Sequence, residues 1–258
     1  WILCGTLIPM AMVFYYGLTG DQGGFTLSNI AAIAETGHAK ALWTSVLLSL
    51  VSTVICLLLA YPLGLILKKS GMGQKGLLVF LFVLPMWMNF LLRTMAWQVL
   101  LEKKGVINTI LQSLGFSGLR LINTPAAIVM GMVYDFLPFM VMPIYNVLTK
   151  IDDRVIEAAR DLGANNFQVF RYIILPLSVP GIVSGVTMVF VPALTTFVIS
   201  NMLGGGKILL IGNVIEQEFT VGNNWHLGAG LSLVMMIFIL VSMAFIAKFD
   251  KNGEGNTF

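Results

Sequence analysis

Charged side chains are scarce in this chain. Asp, Glu, Lys and Arg make up 10% of its 258 residues, against roughly 25% in an ordinary soluble domain. Apolar residues fill the deficit at 57%, and the mean hydropathy is +0.89. Such a composition excludes an ordinary water-soluble surface and places most of the chain in lipid. Cysteine is nearly absent: Cys4 and Cys56 both fall in apolar runs, so they suggest no disulfide framework and read as small core residues. His38 and His226 have no neighbours at metal-ligand spacing. They read as loop residues, and no metal site is indicated.

Catalytic signatures are missing as well. There is no His-Glu-x-x-His, no Gly-x-Ser-x-Gly and no cluster of paired carboxylates, so a hydrolase or intramembrane protease has nothing to work with. Gly204-Gly205-Gly206-Lys207 is followed by Ile208 and lacks the G-x-x-x-x-G-K-[ST] spacing of a phosphate-binding loop. The chain therefore has no means of using ATP by itself. The apolar runs also lack the alternation of a transmembrane β-barrel.

What the sequence does contain is a series of long, nearly uncharged runs at residues 1–20, 41–67, 77–101, 125–149, 177–202 and 227–247. Each is about the length that crosses a hydrocarbon core of about 30 Å. Only a helix satisfies every backbone N–H and C=O within such a segment. The expected fold is all-α and polytopic, with these six transmembrane helices forming one membrane domain over residues 1–258. The first run opens at Trp1 without an initiator Met, which predicts further native residues ahead of it. A signal peptide is the alternative, but the run has neither a basic leader nor an Ala-x-Ala site.

Basic residues in the connections set the orientation. Lys68, Lys69, Lys75, Lys150, Arg154, Arg160, Arg171, Lys248 and Lys251 fall on one side, and Lys40, Lys103, Lys104, Arg120 and Lys207 on the other. The richer side, with the C-terminus, is expected in the cytoplasm. Residues 102–124 on the outer side hold a candidate short helix at 106–114. The outer segment 207–225 has apolar patches too short to span, which suggests a re-entrant or interfacial piece. Pro180 and Pro192 are expected to kink the fifth run. Trp43 and Trp225 read as interface anchors.

The longest cytoplasmic connection, residues 150–176, carries helix punctuation. Asp152 and Asp153 are positioned to cap a helix through Glu157 to Leu162, and Gly163 suits the left-handed residue that ends it. Asn165, with Gln168 three residues later, fits an Asn variant of the capping box. The result is a helix-turn-helix elbow. Ile156, Ala159, Phe167, Phe170 and Ile174 are expected to pack inward, leaving Glu157, Arg160, Asp161 and Arg171 to water or a partner.

The same segment fits E-A-A-x3-G-x9-I-x-L-P without a departure, through Glu157, Ala158, Ala159, Gly163, Ile173, Leu175 and Pro176. It resembles the EAA loop of bacterial ABC importer permeases. The resemblance narrows at Gly131-x-Val133-Tyr134-x-x-Leu137-Pro138-Phe139-Met140-Val141-Met142-Pro143-x-Tyr145, at Leu162-Gly163-Ala164 and at Leu84-Pro85-x-Trp87-x-Asn89 with Arg93. Gly204-Gly205 and the stretch Leu210-Ile211-Gly212-Asn213-Val214-Ile215 add to it. Together these look like spermidine/putrescine permeases of the PotB type.

The resemblance implies a type I importer permease fold in the bacterial inner membrane, with the elbow as a coupling helix. Glu157, Ala158, Ala159, Arg160, Asp161 and Gly163 would then engage an ATPase. It further implies a PotC-like second permease, an ATPase dimer that binds ATP and Mg, an extracytoplasmic polyamine-binding protein, and no nucleic acid. Related permeases carry other small charged solutes such as ferric iron or thiamine. A passive channel is the reading from another class.

A polyamine is a flexible polycation, so its path is expected to offer carboxylates and aromatic faces. Asp135 is the only acidic residue inside a run, and a charge at mid-membrane costs about 2.5–3.5 kcal/mol on insertion scales. Trp87, Asn89, Trp97 and Tyr134 are candidate neighbours. Counting ~1.5 Å per residue from the outer ends puts Arg93 roughly 12 Å deep and Asp135 roughly 15 Å deep. Either an Arg93–Asp135 ion pair or a contact between Asp135 and cargo amines satisfies the chemistry. Glu216 and Glu218 are candidates for attracting the arriving cation or docking the binding protein, or are plain surface carboxylates.

Overall fold

The computed structural model describes residues 3–20, 23–69, 84 and 86–254. Within them the chain is helical apart from turns and one antiparallel bridge, Thr19 to Phe25. The labelled helices are α1 Ile8–Leu18, α2 Thr36–Lys69, α3 Phe90–Leu101, α4 Val106–Ser113 and α5 Pro125–Lys150. They continue as α6 Asp153–Asp161, α7 Asn166–Thr195, α8 Val198–Leu203, α9 Ile211–Thr220 and α10 Trp225–Glu254.

Helices α2, α5, α7 and α10 are long and apolar enough to cross a membrane. The runs at 41–67, 125–149 and 227–247 lie within α2, α5 and α10. With 34 residues, α2 is ~51 Å long, more than the hydrocarbon core needs. The first run gives a shorter apolar helix, Cys4–Leu18. Of the third run, residues 77–83 and 85 lie outside the described residues, and α3 supplies its second half. The expected short helix at 106–114 is α4.

The fifth run differs from expectation at both ends. Helix α7 starts eleven residues before 177, because Asn165 caps it at Asn166, and it stops at Thr195 rather than near 202. The break at residues 196–197 is stabilised locally. The Asn213 side-chain amide donates to the Phe197 carbonyl at 3.1 Å and to Asn201 Oδ1 at 2.7 Å. Irregular backbone at membrane depth persists only where protein satisfies it in this way. Pro180 and Pro192 both sit inside α7.

The crossing helices are inside-out relative to a soluble bundle. On α2, Ser45, Ser49, Ser52, Cys56 and Ala60 are buried, while Leu47, Leu50, Val54 and Leu58 are exposed. Lipid rewards apolar residues on the outer face, and small or hydroxylated residues let helices approach and bond inside. Ser45 Oγ accepts from the Ile211 N–H at 2.8 Å and so caps α9. Cys56 is a buried residue as expected, whereas Cys4 is exposed, its helix presenting apolar side chains outward.

The chain divides into two compact units. One comprises Trp1–Ser49, Thr94–Ile128 and Leu194–Ser242. In it, Asn29 Nδ2 donates to the Thr19 carbonyl at 2.9 Å, and His226 Nδ1 meets the Tyr16 and Thr19 carbonyls at 3.0 and 2.6 Å. These contacts satisfy carbonyls left over at the end of α1. Neither histidine is a loop residue: His226 lies in the first turn of α10 and His38 in that of α2, each held by backbone carbonyls, with His38 Nδ1 at 2.8 Å from the Ala32 oxygen.

The other unit comprises Leu50–Arg93, Val129–Ala193 and Met243–Phe258. Its interior is built on α5, whose Met132, Met140, Ile144 and Leu148 are fully buried. Tyr61 and Ser178 join α2 to α7 through a 2.7 Å hydrogen bond. Where α7 meets α5, a Cβ on Gly181 would lie 2.9 Å from the Pro143 carbonyl. Only glycine allows that approach.

Candidate functional site

The elbow is assembled from local hydrogen bonds. Helix α5 ends at Lys150, and Asp152 starts α6, its Oδ1 accepting from the Arg154 N–H at 2.9 Å. At the far end Gly163 has φ +87°, donates to the Arg160 carbonyl at 2.8 Å, and is followed by an Ala164 N–H bonded to the Ala159 carbonyl at 3.0 Å. This is a Schellman ending, in which a left-handed glycine closes the orphan carbonyls of the last turn. Asn165 and Gln168 then form both bonds of the capping box, each 2.8 Å. Arg160 Nη2 donates to Asn166 Oδ1 at 3.2 Å, tying the two arms together.

The chain continues through a π-helical turn, Phe170–Ile174, immediately before Leu175 and Pro176. Pro176 has no N–H for the Tyr172 carbonyl, and the wider turn sits where the regular ladder would be interrupted.

Glu157, Arg160, Asp161 and Arg171 are exposed, as expected, and Ile156, Ala159, Phe170 and Ile174 are partly buried. Phe167 departs from expectation. It is 71% exposed, and Val169 at 2% takes the inward position. The angle between the two arms, set at Gly163, decides which face turns in. Leu162 is 90% exposed, Ala158 is exposed beside it, and no neighbouring atom comes within 4 Å of a Cβ built on Gly163. The elbow thus presents large apolar side chains, Leu162 and Phe167 among them, amid charges and beside open space. A surface of that kind is suited to being covered by a partner.

In the same unit, Arg93 Nη2 lies 3.1 Å from Asp135 Oδ1, and both side chains are buried. The Arg93 guanidinium carbon lies 5.9 Å from the centroid of the Tyr134 ring. Arg93, Tyr134 and Asp135 are therefore brought together, with the ion pair formed. Asn89 is engaged in capping α3, its Oδ1 accepting from the Leu91 N–H at 2.9 Å. Trp87 is exposed. Trp97, Glu216 and Glu218 belong to the other unit and are partly buried. There Glu216 borders an apolar cavity of about 590 Å³ with Phe197, Phe219 and Met235. Trp43 and Trp225 are exposed. Among the described residues no group of His, Cys, Asp and Glu is arranged to hold a metal.

The chain belongs to the family described as binding-protein-dependent transport system inner membrane component, which matches residues 24–252. It is 40% identical over 253 residues to the spermidine/putrescine transport system permease protein PotB of Haemophilus influenzae, spanning 93% of this chain and 88% of that one. To the Escherichia coli protein of the same name it is 38% identical over 245 residues, spanning 92% and 89%.

The fold is that of type I ABC importer permeases. It is similar to a bacterial ABC transporter that imports the acidic polysaccharide alginate, with TM-score 0.75 at 16% identity, covering 100% of this chain and 92% of that one. It is also similar to the MetNI methionine ABC transporter, with TM-score 0.57 at 19% identity, covering 85% and 96%. The chain is accordingly a multi-pass membrane protein.

Proposed function

We propose that this chain is the permease subunit of an ATP-driven polyamine importer, taking spermidine or putrescine across the bacterial inner membrane. The observation that carries this reading is the capped elbow, with Leu162 and Phe167 exposed, in a chain 40% identical over nearly its full length to a spermidine/putrescine permease. The chain forms half of the path, with a PotC-like permease as the other half and its C-terminus in the cytoplasm. An ATPase dimer holds ATP and Mg, and an extracytoplasmic binding protein delivers cargo. The elbows move with the ATPase dimer and shift the paired spans between inward-open and outward-open states.

Arg93, Tyr134 and Asp135 act as a gate. The guanidinium sits against the carboxylate and near the ring, the positions an ammonium of the cargo would favour. Trp87, Asn89 and Trp97 are further candidates for contact with cargo, and Glu216 and Glu218 attract the polycation. The test is uptake of labelled spermidine by proteoliposomes holding all four kinds of subunit. Uptake should require ATP and the binding protein. Uptake that persists without the ATPase would mean a passive channel, and uptake of ferric iron or thiamine in its place would move the chain to another cargo.

A further inference from the structure

Lys68 lies one residue from the end of α2, where a cation is favoured by the helix dipole. A lysine kept only for membrane orientation extends its ammonium into water or to headgroups. Lys68 does not. Its side chain is 16% exposed, and Nζ donates to the Ile151 carbonyl at 2.9 Å while lying 2.9 Å from Asp153 Oδ1. Ile151 is buried and, with Asp152, forms the joint between α5 and α6. Asp153 is the first residue of α6. One ammonium therefore holds the end of a membrane-crossing helix to both the joint and the first turn of the elbow.

We infer that Lys68 is a positioning residue that carries movement of the elbow into α2. The inference rests on the elbow being the ATPase input. Lys68 makes two contacts at the elbow's start, at different points. The carbonyl bond fixes the joint, and the ion pair fixes the direction in which α6 leaves it. A compact ammonium with several donors suits two acceptors in different directions. If the elbow is displaced, α2 is pulled with it rather than left behind. Asp153 itself is 74% exposed, so solvent screens the ion pair and the carbonyl bond is the firmer of the two.

The experiment uses the full complex in proteoliposomes and reads three quantities: basal ATP hydrolysis, its stimulation by cargo-loaded binding protein, and cargo moved per ATP. In Lys68→Met, basal hydrolysis should stay at the wild-type level, while stimulation and cargo per ATP fall at least about fivefold, the lower bound of ordinary coupling between sites. Lys68→Arg should recover most of the loss, and Asp153→Asn, which leaves the carbonyl bond, should lose less. Wild-type stimulation in Lys68→Met would overturn the inference, as would equal loss of basal and stimulated hydrolysis. If Lys68→Met does not assemble, Lys68→Gln, which keeps most of the stem and removes the charge, decides: reduced stimulation supports the tie, and wild-type stimulation overturns it. A wild-type complex without ATP-driven uptake would instead remove the importer reading itself.

Discussion

Asp135 shows what one residue must satisfy inside lipid. It is 2% exposed on a crossing helix, and its charge is tolerated because Arg93 sits 3.1 Å away. Removing one partner of a buried pair leaves an uncompensated charge, typically costing about 3–5 kcal/mol, whereas replacing both by apolar residues is often neutral. Asp135→Asn is therefore expected to lower the amount of assembled complex recovered from membranes, and Arg93→Met with Asp135→Leu to restore it. If Asp135→Asn assembles normally and only raises the polyamine concentration for half-maximal uptake, the carboxylate contacts cargo directly.

Leu162 and Phe167 make the opposite case, large apolar side chains left in the open. Leu162→Asp gives up almost no internal packing, so the melting temperature of the isolated permease should hardly move. Affinity for the ATPase should fall by roughly 30-fold, the effect of losing about 2 kcal/mol at an interface anchor. An unchanged Kd in a titration of detergent-solubilised permease with the ATPase would remove Leu162 from the interface. The exposure of Phe167 was not legible in its spacing, which suited an inward face. Periodicity describes a residue within its own helix, not the turn at Gly163 that orients one arm against the other.

Among the elements, what could be read from sequence is what depends on neighbours a few residues away. The Asp152 cap, the glycine at the end of α6 and the Asn165–Gln168 box all close within one turn, so composition and spacing announce them. The runs in α2, α5 and α10 were legible because lipid demands long apolar helices. Longer-range closures were not. Ser45 caps Ile211 from 166 residues away, and Asn213 satisfies the Phe197 carbonyl at the break that follows Thr195, a partner that the apolar sequence around the break does not announce.

Helix packing adds a testable constraint of its own. At Gly181, where α7 crosses α5, a side chain would meet the Pro143 carbonyl and Val147 at about 3 Å. Overpacking of this sort costs about 1–3 kcal/mol. Gly181→Ile should lower the melting temperature of the purified permease, whereas Gly163→Ala, which meets no neighbouring atom, should cost only the roughly 1–2 kcal/mol of a left-handed backbone. Equal melting temperatures for Gly181→Ile and wild type would show that α5 and α7 do not pack this closely.

At the scale of the whole molecule, the proposed function divides labour between an elbow that receives work and helices that face the cargo. The chain has no phosphate-binding loop, and its family is the membrane component of binding-protein-dependent systems. On the proposed reading, energy enters through a surface shared with another protein, and the elbow is that surface. Gly163 tests this most directly, because no neighbouring atom lies within 4 Å of its added Cβ and a large side chain there has open space around it. The decisive measurement is ATP hydrolysis by the assembled Gly163→Trp complex, with and without cargo-loaded binding protein. The expected result is a folded permease whose complex has lost stimulation by loaded binding protein; stimulation equal to wild type would contradict the elbow's role.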